Sequence, residues 1–389
     1  MPRAPTPAAA APPATPSSRR RMRIAVTTGL LPVPPTYFVV QHALELADVH
    51  DFAVFARAAR VGDPDVGIAI DSVVPESAGS WPWRMRLAVL AGREHARRIR
   101  SWGPDLVHQH FATWSHGAVS APAPLVTTLH GYDVVAAESR ARTPLAAFHR
   151  RSIRRTIEHS DRVLPVSRYL ADRAIAAGFP SERVHVHYQG IDTDWFTPGE
   201  EPTDERDAPA LVFVGRWSRA KGLHELLEAS VALHARTPHR LRVVGAGPLE
   251  GTVRAAAAEH AHIEVLGSLP RAGVRQALRG ARALVLPTQL DRGWREAAGL
   301  VLLEAQACGV PAITYASGGA PEMVRDGDTG LVVPERDTAA LGEALHSLLT
   351  LPSAQHRAMG ARAREWVVAE RSLAASAAQL DAHYREVAA

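Results

Sequence analysis

The feature that most constrains this chain is a rhythm that occurs twice. Short runs rich in Val, Ile and Leu, with helix-length patterns between them, stand at Arg23 to Thr28, Asp51 to Ala56, Leu106 to His110, Leu125 to His130, Arg162 to Ser167 and Val184 to Tyr188. Such runs read as buried strands of a parallel sheet with helical crossovers. After a polar, acidic stretch the rhythm restarts at Leu211 to Gly215, Leu241 to Gly245, Ile263 to Leu266, Ala283 to Pro287, Pro311 to Tyr315 and Gly330 to Val333. The pattern predicts an α/β protein with two doubly wound, Rossmann-like domains, 22–197 and 210–371, and a hinge-like linker at 198–209. Ligands of open α/β sheets sit beyond the carboxyl ends of the strands, so both domains should point loops into one cleft. The Ala-rich end, 372–389, is expected to form a terminal helix.

Composition narrows the class. With 389 residues, 46% hydrophobic and 22% charged, the chain can bury sizeable cores, and a collagen-like or wholly disordered chain is excluded. Cys308 is the single cysteine, which excludes a disulfide scaffold and favours a cytosolic compartment. No run approaches the roughly 18 apolar residues of a spanning helix. Residues 1–21, where Arg19 to Arg21 follow a Pro/Ala stretch, read as a disordered leader and not as a signal peptide. Residues 1–200 hold 23 Arg against 18 Asp and Glu. The excess is densest at Arg140, Arg142, Arg150, Arg151, Arg154 and Arg155, with no acid among them. Such a helix suits the inner face of an anionic membrane or a pyrophosphate-bearing acceptor, and a solvated face explains it equally well. No nucleic acid partner is expected.

Of the 44 basic residues 43 are Arg, and the one Lys is Lys221. It lies in Val212 to Gly222, VFVGRWSRAKG, where a buried strand ends at Gly215 and Arg216 and Lys221 follow within one loop. A planar fork and a compact point charge leaving the same strand suit a diphosphate. In Arg295 to Gly309, REAAGLVLLEAQACG, Glu296 precedes a helix expected to begin near Gly299, and Glu304 lies inside it. The free amides around Gly299 to Val301, Leu300 included, make a second anion site at the positive end of the helix dipole. Glu304 could accept from a ribose diol and Glu296 from hydroxyls carried by the diphosphate.

These segments resemble the retaining nucleotide-sugar transferases of glycosyltransferase family 4, of exopolysaccharide or cell-envelope type, which have the GT-B fold. Gly215-Arg216-Trp217 with Lys221-Gly222 is similar to that family's G-R-[LW]-x-x-x-K-G, and Glu296 with Glu304 to its E-x7-E. Ser317 to Glu322 and Asp326 to Gly330 look like its S-G-G-x-P-E and D-G-x-T-G segments. The resemblance implies that Arg216 and Lys221 hold the donor diphosphate, Glu304 the ribose and Glu296 the sugar, with backbone near Leu269 beside the base. Thr128 to Asp133 is similar to T-x-H-G-x-D, which would place His130 at the reacting centre; Gly29, after the first strand, would allow close approach of donor or acceptor. The chain departs from the pattern at Ala297-Ala298, where E-G-F-G is common, at Pro34 to Phe38, and at Gln189, where Asn is usual in a family to which this Asn-free chain is similar.

Other signals are weaker. Asp192-Thr193-Asp194 has the shape of a metal-binding D-x-D but the position of a turn, and turn capping is the better account. His108 with His110 and His185 with His187 alternate on strands without accompanying carboxylates or thiols, so no structural metal is expected, although His110 could line the cleft. Gly245-Ala246-Gly247 with Gly251 has the wrong spacing for a dinucleotide fingerprint. The expectation is a metal-independent retaining transferase that moves a hexose-type sugar from a UDP- or GDP-sugar to a saccharide or lipid-linked acceptor. A sugar-nucleotide epimerase and a non-catalytic nucleotide-sugar-binding subunit are the alternatives.

Overall fold

The computed structural model describes residues 20–33, 36–62, 66–138, 142–199 and 209–389. Most of the expected leader and linker, together with Pro34, Pro35 and Arg140, lie outside the described residues. The first sheet contains β1 (Arg23–Val33), β2 (Asp51–Val61), β3 (Ile70–Val74), β4 (Leu106–His110), β5 (Leu125–Leu129) and β6 (Arg162–Pro165). The second contains β7 (Ala210–Val214), β8 (Arg240–Val244), β9 (Ile263–Gly267), β10 (Ala283–Leu286), β11 (Ala312–Tyr315) and β12 (Gly330–Val333). Both are six-stranded and parallel, ordered β3-β2-β1-β4-β5-β6 and β12-β11-β10-β7-β8-β9. Each order reverses at its first strand, so the crevice between β1 and β4 and that between β7 and β10 are the two switch points where ligands of such sheets bind.

The helices of the first half are α1 (Phe38–Glu45), α2 (Trp81–Leu90), α3 (Gly92–Trp102), α4 (Tyr132–Glu138), α5 (Pro144–His159) and α6 (Arg168–Ala176). Those of the second are α7 (Leu223–His234), α8 (Glu250–Glu259), α9 (Arg271–Arg279), α10 (Leu300–Ala307), α11 (Thr338–Thr350), α12 (Ser353–Glu370) and α13 (Leu373–Ala388). Local chemistry starts several of them. Thr143 caps α5 by accepting from the Ala146 amide with Pro144 in the first turn, and Ser167 caps α6 through the Leu170 amide.

Two strand expectations need correction. Val184 to Tyr188 is not a strand: one bridge joins Val184 to Val163, and the amides of His185 and His187 bond to Val163 and Pro165 at 2.9 Å. The sheet ends there because β6 stops at Pro165 and Ser167 already caps a helix. The expectation also passed over β3, an edge strand of sequence IDSVV with only Val74 buried, whose one-sided pattern is too short to stand out. The last helix, α13, returns to the first half of the chain. Ala377, Leu380 and Tyr384 pack on Met22, Ile24, Leu106, Val126 and Leu164.

Candidate functional site

At the switch point of the second sheet, Trp217 decides where Arg216 and Lys221 go. Its indole is buried at 1% exposure, its amide donates to Ala246 O at 2.9 Å, and its carbonyl accepts from Leu249 N at 3.1 Å. With Trp217 turned in, Arg216 is exposed and has no ion pair among the described residues. Lys221 ends a 3-10 turn (Arg219–Lys221), and Gly222 then takes φ 66°. A Cβ on Gly222 would overlap the Pro287 carbonyl, so glycine alone lets this loop lie against the end of β10. The glycines Gly245 and Gly247 have the same use: a Cβ on either would strike the backbone of Gly215 or Trp217. They pack two loops together, and this accounts for a Gly-x-Gly without a dinucleotide role.

The Lys221 ammonium donates to the Glu296 carboxylate, which is 9% exposed, and lies 5.7 Å from the Trp294 ring. The loop that carries Glu296 is held from behind. Gly319 N donates to Glu296 O at 2.9 Å, and a Cβ on Gly318 or Gly319 would overlap the carbonyls of Glu296 or Ala297. Gly299, at φ 86°, opens α10 with no side-chain cap, which leaves the Leu300 and Val301 amides facing the same end of the sheet. Further along α10, burial pushes the Glu304 carboxyl up to about 7, against the pull of Arg271. Leu269 lies two residues before Arg271, in the turn between β9 and α9, partly buried against the core.

Opposite this edge, His130 follows β5. Its Nε2 is 3.0 Å from His110 Nδ1, and the two rings stack with centroids 5.2 Å apart. Desolvation holds His130 well below its ordinary pKa and His110 down to about 3, so the pair is neutral and shares one N–H between those nitrogens. His130 Nδ1 is buried without a hydrogen-bond partner among the described residues. Asp133, the last residue of the same motif, accepts from the amides of His130 at 3.0 Å and Thr113 at 3.4 Å and so ties the loops after β5 and β4 together. Burial raises its carboxyl to about 6. The two sides meet at Gly131, where an added Cβ would stand 3.0 Å from Ala297 Cβ.

The expected residues thus fall into place unevenly. Lys221 and Glu296 touch, Gly299 and Leu300 open the helix beside them, and His130 precedes Gly131, which meets their loop at Ala297. Gly29 needs correction: it lies inside β1, not after it, and the space its missing Cβ leaves is filled by the Trp114 indole. Packing therefore explains this glycine. Asp192 behaves as expected of a turn, accepting from the Asp194 and Trp195 amides at 3.2 and 2.8 Å while pairing with Arg271 at 2.9 Å. Of the arginine patch, Arg150, Arg151 and Arg154 are exposed without ion pairs among the described residues, whereas Arg155 bonds His116 at 3.1 Å. Glu322, quoted only as part of a motif, bridges the halves of the chain. Its carboxylate accepts from the amides of Arg168 at 2.8 Å and Tyr169 at 2.9 Å, at the start of α6, and from Tyr188 OH at 2.7 Å. Trp294 and Phe38, whose ring is 4.6 Å from His130, had no motif to announce them, whereas His110, read as a residue that could line the cleft, stands beside His130.

Comparison with known proteins places both halves of the chain in one family. Residues 200–366 match the family model of glycosyl transferases group 1, and residues 36–195 match that of glycosyltransferase family 4. The chain is 33% identical over 258 residues to a GDP-mannose-dependent alpha-(1-6)-phosphatidylinositol monomannoside mannosyltransferase of Mycolicibacterium smegmatis, covering 63% of this chain and 65% of that protein. It is 30% identical over 359 residues to a D-inositol 3-phosphate glycosyltransferase of Mycobacterium sp. strain JLS, covering 82% and 79%. Among solved structures, sucrose-phosphate synthase of Thermosynechococcus elongatus superposes with a TM-score of 0.73 at 22% identity, covering 94% and 99% of the two chains. Anabaena HepE in complex with UDP and glucose does so with 0.73 at 18%, covering 94% and 100%. No helix among the described residues is long and apolar enough to cross a membrane. Two facing Rossmann-like sheets, a Lys–Glu pair at one switch point and matches along both halves make this chain a glycosyltransferase of the family 4 type, with the GT-B fold.

Proposed function

We propose that the chain transfers a hexose-type sugar from a UDP- or GDP-sugar to a saccharide or lipid-linked acceptor, with retention at the anomeric carbon and without a metal ion. The observation that carries this reading is the Lys221 ammonium set beside Glu296 at the mouth of β7 and β10, next to the uncapped start of α10. Arg216, Lys221 and the Leu300 amide would hold the diphosphate, Glu304 the ribose, backbone near Leu269 the base, and Glu296 with His130 the sugar. Gly29 would act only indirectly, by seating Trp114. Two cations and a helix N-terminus supply the charge compensation that a departing diphosphate requires. In the transfer, the acceptor oxygen bonds to the anomeric carbon as its bond to the β-phosphate oxygen breaks, and that oxygen takes the acceptor's proton. The GDP-mannose dependence of the M. smegmatis relative and the UDP bound to HepE support a nucleoside diphosphate donor of either base.

The test is to incubate the protein with UDP- and GDP-hexoses and a panel of saccharide and lipid-linked acceptors, with and without a chelator, and to read released nucleotide and product configuration. The reading predicts acceptor-dependent release, a retained anomer and no effect of chelation. Donor conversion without acceptor would indicate an epimerase, binding without release a non-catalytic subunit, and loss on chelation a metal-dependent enzyme.

A further inference from the structure

Next to His130, in the first half of the chain, lies a cavity of about 950 Å³. Its walls include Leu30, Val89, Leu90, Phe111, Trp114 and Leu145, and its one arginine is Arg86. Thr28, Thr36, Thr113 and His149 also line it, but the surface it offers is mostly hydrocarbon and aromatic carbon, whereas a saccharide site of this size would be lined mainly by converging polar groups.

Helix α2, which forms one wall, has its polarity reversed. Arg84 is turned inward at 4% exposure and donates to Ala59 O, while Trp83 and Leu90 face outward at 51% and 82%. A helix apolar nearly all round is ordinarily buried, and the outward face of this one adjoins the mouth of the cavity. Leu145 and Tyr132, both exposed, continue the apolar collar on the far side. The cavity borders the candidate reaction centre through one shared wall residue, Phe111. Phe111 is held at φ 65°, a conformation unfavourable for an aromatic residue, and its ring lies 4.5 Å from His130 while lining the cavity. Arg86, exposed at the mouth, has no ion pair among the described residues and could meet an anionic linker.

We infer that this cavity takes the hydrocarbon tail of an amphipathic acceptor, its reacting hydroxyl lying on the His130 side of Phe111. The inference deepens the proposed function by choosing the lipid-linked acceptor over the free saccharide, and it rests on that reading only for the direction in which the tail lies.

Binding of n-alkyl phosphates of 4, 8 and 12 carbons, kept below their micellar concentrations and measured by calorimetry without any donor, tests it. Each added methylene should tighten binding about fourfold until the cavity fills. Val89→Glu and the rim variant Leu90→Glu should abolish that dependence while leaving UDP and GDP binding unchanged, which also shows that the variants fold. Farnesyl phosphate and dihexanoyl phosphatidic acid then separate a polyprenyl from a two-chain acyl tail, and tight binding of either supports the inference. Affinity indifferent to chain length, a dependence that survives both substitutions, or adsorption to lipid vesicles without saturable binding of single chains would overturn it. Because no donor is present, failure here is distinct from failure of the proposed transfer reaction.

Discussion

The two edges that meet at Gly131 and Ala297 are built by opposite means. On the second-half side, loops approach so closely that side chains are forbidden: Gly222 lies on Pro287, Gly245 on Gly215, and Gly318 and Gly319 on the carbonyls of Glu296 and Ala297. What projects from this tight backbone is charged, namely Arg216, Lys221 and Glu296. On the first-half side, rings do the packing. Trp114 fills the space over Gly29, and Phe38, Phe111 and His110 surround His130 at centroid distances of 4.5 to 5.2 Å. One side offers charges and backbone amides, which under the proposed function would meet the diphosphate; the other offers apolar and neutral surface, which would meet the acceptor.

The contrast breaks first at Lys221. Lys221→Ala should lower kcat/KM by about 10²–10³-fold in a steady-state transfer assay, with an unchanged far-ultraviolet circular dichroism spectrum. Near-normal turnover would remove the second-half edge from the chemistry. His130→Gln sharpens the comparison from the other side. It should slow transfer by at least about tenfold while UDP and GDP dissociation constants stay within about twofold, because the proposed function sets the neutral histidine pair against the sugar and not the diphosphate.

Glu304 permits a pH test. Its folded pKa of about 7 exceeds the ordinary 4.5, so the native state holds the proton more tightly than the unfolded chain. Its contribution to stability is therefore complete below about pH 4.5 and is lost as pH rises through 7. Denaturant unfolding of the nucleotide-free protein between these values should show about 1–2 kcal/mol less pH-dependent loss in Glu304→Gln than in the native sequence. An identical slope in both would mean that this carboxyl is not held protonated by burial. The smallest effect belongs to the bridge between the halves. Glu322→Ala should cost about 1–2 kcal/mol in the same measurement, through two helix-start amides left without an acceptor. Nucleotide affinity should not change.

The same contrast explains what was legible in the sequence. Backbone contact demands glycine at fixed spacing, so the segments around Gly215 to Gly222 and Ser317 to Glu322 are short, local and readable, as is the placement of Lys221 in an arginine-rich chain. Buried parallel strands were equally plain, since β4 and β10 fall where their apolar runs stand. The ring-lined edge draws on β1, α2, the turn after β4 and the start of α5, more than 100 residues apart, and no spacing rule joins Leu30 to Leu145. Gly29 was misread for the same reason: its partner, Trp114, is distant in the chain. Glu322 was visible as a letter in a motif, but the amides that donate to it at the start of α6 belong to the tertiary structure.

The most direct test of the central claim, that Arg216 and Lys221 grip a diphosphate, is calorimetric titration of UDP and GDP against uridine and guanosine in the native protein, Arg216→Ala and Lys221→Ala. The account predicts that the native protein prefers the nucleotides strongly and that each substitution removes at least about tenfold of that preference, leaving nucleoside binding untouched. A preference for the diphosphate that persisted undiminished in both variants would contradict it.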